Sequence, residues 1–389
     1  MFYKNARIFC PDFQFRTGAF EVKDGKFGAV LPENVPSDAV DLKGATVIPG
    51  LVEIHSHGNS GADFSDGDYE GLKKMAAFYA QHGVTSFAPA SMTLPYDVLE
   101  KAFATAVQLK KEQPKGLSVL RGIQMEGPYF SYKKRGAQNP DYLKDPDFEG
   151  FRKLWEGCDG LVKIVDVAPE LPGAKEFTEQ ASKLCTVSVA HTDSDYDHAR
   201  AVFDAGARHL THLYNAMPAI SHRAPGVIPA AVETPGVRAE LICDGYHVHP
   251  ASVRLAFSMF GGERMCLISD SGRCAGMPEG TQFQLGGQDC WLRDGVANIG
   301  SGTMGHATAL QFAVAGYPVK LVDCSGELLK RGMEHIRADA EEFAQAGLLR
   351  AEDTVDDVLS RISTYTDYEN GVSDADFIIE SIVEKLDVK

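Results

Sequence analysis

Between residues 47 and 272 an apolar run of β-forming residues followed by a helical stretch recurs eight times, and each run ends in polar residues. The runs are VIPGLVEIHSH (47–57), VTSFAPASM (84–92), LRGIQMEGP (120–128), LVKIVDVAPE (161–170), TVSVAHTDS (186–194), ARHLTHLYNAM (207–217), RAELICDGYHVH (238–249) and RMCLISDSG (264–272). Helical stretches such as YEGLKKMAAFYAQHG, DVLEKAFATAVQLKKE, AKEFTEQASKLC, YDHARAVFDAG and ASVRLAFSMFG lie between them. Strand and helix alternating over about 225 residues predict a (β/α)8 barrel, an α/β fold that keeps its active site at the C-terminal ends of the strands. A doubly wound open sheet would instead gather its polar ends at one switch point.

Residues 3–48 differ in texture: short apolar segments alternate with turn residues, which predicts a small antiparallel β domain. The expected organisation is a small β domain over 1–47 joined by a hairpin at 280–297, the (β/α)8 barrel over 48–279, and a separate unit over 298–389. With 54 acidic against 38 basic residues the net charge is -16, and the longest basic cluster is KKR at 133–135, so no nucleic-acid partner is expected. Eight scattered cysteines without C-x-x-C spacing predict reduced thiols and a cytoplasmic location. No signal peptide and no membrane span is expected.

His55 and His57 are separated by one residue, so on a strand both imidazoles face the same side. Glu126, His191 and His212 end the third, fifth and sixth runs, and Asp270 ends the eighth. A barrel brings these six side chains together on its axis. Imidazole and carboxylate ligands suit Zn, Fe, Co or Ni, in a site for one or two divalent ions with a position left open for water. Such an ion lowers the pKa of water and polarises a carbonyl oxygen, while Asp270 can take the water's proton and pass it to the leaving group. The reaction class is metal-assisted hydrolysis, most simply of an amide. His82, His198, His209, His222, His306 and His335 have no recognisable partners and read as surface or core residues. Glu170 reads as structural, and Lys134 and Arg135 as a solvated face within reach of a phosphate.

The segments PGLVEIHSHG, QMEGPYFSYKKRGAQNP, VAHTDSDYDHARAVFDAGARHLTHLYNAM, ICDGYHVHP and LISDSGRCAG resemble the N-acetylglucosamine-6-phosphate deacetylases of the amidohydrolase superfamily, in order from about residue 1 to 297. The resemblance implies that Glu126, His191 and His212 hold the main metal ion and that His55 and His57 can hold a second. It implies Asp270 as general base and acid, with Asn215, the Ala216 backbone and His247 at the substrate. His247 is preferred to His249 because it follows D-G-Y. Arg223 matches an arginine that reaches the phosphate bound in a neighbouring subunit, which implies a homodimer. Gln138 stands where some members carry a histidine that polarises the acetyl carbonyl; glutamine donates a hydrogen bond but carries no charge. The expected substrate is a phosphorylated amino sugar, N-acetylglucosamine 6-phosphate or a relative such as the galactosamine compound.

Beyond residue 297 the pattern changes. IGSGTMGHATALQFAVAGYPVKLVD reads as strand, glycine turn, helix and strand, ending in Asp323. Gly300 permits the turn, Gly302 the approach of a pyrophosphate and Gly305 the packing of helix on strand, while Asp323 accepts from ribose hydroxyls of NAD. Residues 298–389 resemble the NAD-binding domain of 3-hydroxyacyl-CoA dehydrogenases, a partial Rossmann unit. In that family the catalytic histidine and its glutamate follow the position of Lys389, so hydride transfer is not expected here. An NAD-dependent oxidoreductase and an impaired hybrid of the two halves stand as alternatives to the deacetylase. Seven helices are expected to belong to the barrel, the eighth having been replaced; the helix at 303–316 covers either strands 1 and 8 or its own sheet.

Overall fold

The computed structural model describes residues 1–285, 288–293, 296–299, 309–322, 326–345 and 349–367. The chain divides into two compact units, Met1–Arg273 and Cys274–Lys389.

The first unit opens with strands Phe2–Phe9, Phe15–Lys23 and Lys26–Val30, paired antiparallel, while Val40–Asp41 and Thr46–Val47 run parallel to the first strand. Alternation puts Ala6, Ile8, Cys10 and Phe20 into a small core.

The barrel follows. Its strands are β1 (Leu51–Glu53), β2 (Val84–Phe87), β3 (Ile123–Met125), β4 (Val162–Val167), β5 (Thr186–Val189), β6 (His209–Leu210), β7 (Arg238–Ile242) and β8 (Met265–Ile268). Neighbours pair in parallel from β3 through β8, and β1 pairs with β2. The Ala90–Ser91 extension of β2 reaches Gln124 and Met125 of β3. The ring closes where Asp270 N–H donates to His55 C=O (3.0 Å) and His57 N–H to Ser271 C=O (2.8 Å). The ladders are shorter than the sequence runs because the polar tails leave them as loops.

Seven helices follow the first seven strands: α1 (Tyr69–Gln81), α2 (Tyr96–Glu112), α3 (Phe148–Gly157), α4 (Ala174–Ala181), α5 (Tyr196–Asp204), α6 (Val227–Glu233) and α7 (Pro250–Phe260). In α1 the residues Leu72, Met75, Ala76 and Tyr79 recur at three- and four-residue spacing and are buried, and Asp68 caps the first turn by accepting from the Glu70 and Gly71 amides. Asp147 and Asp195 cap α3 and α5 in the same way. Between helices and strands lies one core, which includes Phe87, Phe103, Phe151, Phe177, Phe203, Val165, Val187 and Leu241. On β1 and β8, Leu51, Val52 and Leu267 are 54%, 57% and 56% exposed.

In the second unit Gln282–Leu285, Gln288–Arg293 and Val296–Ile299 form an antiparallel sheet. Strands Val319–Val322 and Ile362–Tyr365 pair in parallel, accompanied by helices Gly326–Gln345 and Val355–Ser360 and by helical residues 309–314. Ala309, Leu310 and Ala313 bury themselves with Ile336, Ala340, Val358 and Ile362, and Val319 and Leu321 pack on this cluster. The helix therefore packs on the sheet of its own unit, as a Rossmann β-α-β element does. Gly300, Gly302, Gly305 and Asp323 lie outside the described residues. Among the described residues no helix is long and apolar enough to cross a membrane.

Candidate active site and metal centre

The polar tails of β1, β3, β5, β6 and β8 converge at the C-terminal mouth of the barrel. His55 and His57 follow β1 with rings 5.5 Å apart, both presenting Nε2 to Glu126, at 3.5 and 3.1 Å. His191 and His212 meet the same carboxylate: each Nε2 is 3.2 Å from Glu126 Oε1, and the two nitrogens are 3.0 Å apart. Asp270 Oδ1 lies 3.5 Å from His55 Nε2 and 3.4 Å from His57 Nε2. The six side chains singled out in the sequence thus form one cluster, with Glu126 at its centre.

His191, His212 and Asp270 hold φ of +43°, +30° and +48°. Left-handed backbone costs a non-glycine residue about 1–3 kcal/mol and persists only where its surroundings impose it.

The residues fit a divalent ion. Nitrogen and oxygen ligands held at about 2.0–2.1 Å stand about 3 Å from one another, which is the spacing within Glu126, His191 and His212. His55, His57 and Glu126 form a second compact group sharing the same carboxylate. His55 Nε2 is buried without a hydrogen-bond partner, as a lone pair kept for a cation would be. Two of the far nitrogens are fixed, His191 Nδ1–H donating to Lys134 C=O and His55 Nδ1–H to Glu240 Oε2, both at 2.8 Å, while Nδ1 of His57 and of His212 is buried without a hydrogen-bond partner.

Charge in the cluster follows from these contacts. Burial alone would hold the imidazoles neutral, yet nearby carboxylates outweigh it. Glu240 and Asp270 raise His55 well above its ordinary value, and Glu126 and Asp270 push His57 up to about 10. Burial likewise works to raise Glu126 and Asp270, but the histidines hold both carboxyls below their usual range. Asp270 is therefore an ionised carboxylate at neutral pH, with its side chain 22% exposed at the mouth. A base facing incoming water needs both properties.

Gln138 is buried with its amide N–H donating to Glu126 Oε2 (2.6 Å) and its carbonyl accepting from Thr93 N–H (2.7 Å). Its donor therefore points at the carboxylate that the four imidazoles share. Asn215 and Ala216 lie in the turn after His212; Asn215 N–H donates to His212 C=O (2.9 Å), and Ala216 C=O accepts from Thr192 N–H (3.1 Å). His247 is exposed and its Nδ1 meets Asp244 Oδ2 at 2.6 Å. His249 instead caps α7, its ring accepting from Ala251 N–H. Arg223 is exposed. Glu170 fastens the loop after His191, accepting from Thr192 Oγ1 and Asp193 N–H at 2.6 Å.

Beneath the cluster lies a layer of buried polar side chains that the strand-end pattern does not reveal: Glu53, Gln124, Asp166, His209 and Glu240. Glu53 accepts from the His55 and Ser269 amides (2.9 and 3.0 Å), clamping β1 to β8. Burial, then the charges of Glu126 and Glu240, raise the Asp166 carboxyl well above its ordinary value, and Thr211 Oγ1 donates to it at 3.1 Å. A signal for this layer exists in the sequence: each carboxylate or amide interrupts an apolar run (LVEI, GIQM, IVDV, AELI). Such a residue must face inward with partners.

Comparison with known proteins decides the family. The N-acetylglucosamine-6-phosphate deacetylase of Bacillus subtilis is 32% identical over 335 residues, covering 83% of each chain. The chain belongs to the N-acetylglucosamine-6-phosphate deacetylase family. The Vibrio furnissii deacetylase of the same name is 34% identical over 273 residues, 70% of this chain and 68% of its own. An N-acetylgalactosamine-6-phosphate deacetylase of Escherichia coli O157:H7 is 31% identical over 74% of this chain and 75% of its own. Among solved structures, a Mycobacterium smegmatis N-acetyl-D-glucosamine-6-phosphate deacetylase variant in complex with N-acetyl-D-glucosamine-6-phosphate superposes with a TM-score of 0.71 at 31% identity, covering 77% of both chains. A Thermotoga maritima deacetylase gives 0.66 at 26% identity over 77% of this chain and 78% of its own. Residues 295–389 match a different family, described as 3-hydroxyacyl-CoA dehydrogenase, NAD binding domain. This member of the deacetylase family thus carries a dehydrogenase-type segment at its C-terminal end.

Proposed function

We propose that the protein is a metal-dependent deacetylase that hydrolyses N-acetylglucosamine 6-phosphate to glucosamine 6-phosphate and acetate, a step of amino-sugar catabolism. The observation that carries this reading is the convergence of four imidazoles on Glu126, beside ionised Asp270, in a chain of this family. Glu126, His191 and His212 would hold one divalent ion and His55 with His57 a second, Zn, Fe or Co by ligand chemistry. A bound ion supplies acidified water and a polarised acetyl carbonyl. Asp270 orients the attacking water, takes its proton and delivers it to the departing amine, so that one water and one amide give acetate and amine. Gln138 holds Glu126 in place. Asn215, the Ala216 backbone and His247 receive the phosphorylated sugar. Arg223, exposed in the loop after the Asn215 turn, would reach the phosphate of a second subunit in a homodimer. The free thiols of the described cysteines fit a cytoplasmic location.

The test is acetate release from N-acetylglucosamine 6-phosphate by metal-stripped protein reloaded with Zn, Fe or Co, compared with the galactosamine isomer. Absence of acetate with every metal in folded protein refutes the reading. The family match over 295–389 supports a second, separate capacity, dinucleotide binding at Gly300, Gly302, Gly305 and Asp323. Calorimetric titration with NAD tests it, and a flat titration removes it.

A further inference from the structure

β7 sends no side chain into the cluster of metal-site residues, yet the middle of this strand carries a carboxylate with no exposure to solvent, Glu240. Its Oε2 accepts from His55 Nδ1–H at 2.8 Å and from the backbone N–H of His212 at 3.2 Å. Oε1 lies 3.8 Å from His209 Nδ1 and, with the Gln124 amide oriented to satisfy its neighbours, 3.3 Å from the Gln124 nitrogen, which also reaches Ile54 C=O at 2.8 Å; the Gln124 oxygen then lies 3.2 Å from His55 Nδ1, farther than Glu240 Oε2 and without its charge. The Glu240 backbone joins in, its C=O accepting from Leu213 N–H at 2.9 Å. One residue of β7 thus grips a histidine beyond β1 and the turn that carries another beyond β6.

We propose that Glu240 is a positioning residue of the metal centre: a single carboxylate oxygen sets the ring of His55 and anchors the left-handed turn of His212. Accepting from Nδ1–H leaves the lone pair of His55 on Nε2, aimed between Glu126 and Asp270. The negative charge on Glu240 strengthens that nitrogen as a donor. Removing an oxygen partner from the far side of a ligating histidine weakens metal binding by about 10- to 100-fold. Glu240 also couples the two groups that share Glu126, since the oxygen that orients His55 is the one that fixes His212. The inference rests on the metal-site reading given above.

The experiment is a Co2+ titration of the metal-stripped full-length chain, followed by visible absorption and calorimetry. His55→Ala first identifies the binding phase that depends on His55. In Glu240→Gln, which conserves volume and removes the charge, that phase weakens by about 10- to 100-fold while the circular dichroism spectrum is unchanged. Glu240→Asp replaces it where the glutamine variant does not fold, with the same expectation. Ser188→Ala is the control: Ser188 belongs to the same buried layer, touching His209 Nδ1 (3.1 Å) and Thr211 Oγ1 (2.7 Å) but no metal-site side chain. Its Co2+ affinity stays at the wild-type value. A His55-dependent phase that Glu240→Gln leaves within twofold overturns the inference and spares the metal-site reading. Equal weakening in Ser188→Ala overturns it in favour of general packing. A wild-type chain with no His55-dependent phase removes both the inference and the assignment of His55 as a ligand.

Discussion

Glu126 is the point at which the site is most exposed to a decisive perturbation. Replacing it by glutamine keeps the volume and leaves an amide oxygen that still accepts from Gln138 Nε2–H, at 2.6 Å in the native chain. The fold is therefore expected to survive. The charge, however, serves both groups of three, one with His55 and His57 and one with His191 and His212. Four-ligand zinc sites bind with about 10–16 kcal/mol, or about 3 kcal/mol per ligand, so loss of one anionic ligand lowers affinity by about 10²–10³-fold. Because Glu126 is common to both groups, that factor applies to each, and no ion position escapes it. The assay is Co2+ affinity of the stripped variant by calorimetry, beside acetate release at saturating substrate and near-ultraviolet circular dichroism to verify folding. Affinity within tenfold of wild type, or acetate release above a tenth of it, would refute the shared-carboxylate argument.

Asp270→Asn should bind metal normally and lose about 10²–10⁴-fold in kcat, the usual worth of a positioned base; retention of wild-type kcat in a metal-loaded variant would remove Asp270 from that role. In the metal-free chain His57 sits near 10 against an ordinary 6.5, so it is protonated at neutral pH and metal uptake must displace that proton. Calorimetry in buffers of different ionisation enthalpy should report proton release, with affinity rising up to about pH 10; zero release contradicts the shift. The same sign gives the stability of the metal-free form: the raised His57 contributes fully below about pH 6.5 and its contribution disappears as pH rises towards about 10. Thermal scans across that window should fall for stripped protein. On the barrel wall, Phe203→Ala should cost about 3–5 kcal/mol because the ring is fully buried, whereas Leu267→Lys, at a position 56% exposed, should change stability by about 0.5 kcal/mol or less. Denaturant titration distinguishes the two.

Much of this was legible because strand-end polarity in a barrel has one destination. His55, His57, Glu126, His191, His212 and Asp270 are each the polar terminus of an apolar run, and the alternation of runs with helices sends all of them to one rim. The interior layer obeys a different rule. Glu240, Asp166, Gln124 and Glu53 sit within apolar runs, and nothing in the local pattern says which of them meets which, since apart from the bond of Glu53 to the nearby His55 amide their partners are 28 to 216 residues distant in sequence and are chosen by the closure of the ring. The short ladders, too, follow from closure: His55 and Asp270 pair through backbone, yet their left-handed or extended tails end the regular strands. α6, seven residues long with Pro229 in its first turn, lacks the length that makes a helix visible in a sequence pattern.

The three left-handed turns at His191, His212 and Asp270 restrict what mutation can do to this centre. At such backbone angles asparagine, aspartate and histidine are tolerated while valine, isoleucine and threonine are strongly disfavoured. Drift at these positions is thereby channelled towards side chains that still carry a nitrogen or oxygen, or to glycine. A descendant of this chain that exchanged one ion for another, or one acyl group for another, would find the backbone already admitting the donors it needs and closed to most residues that offer none.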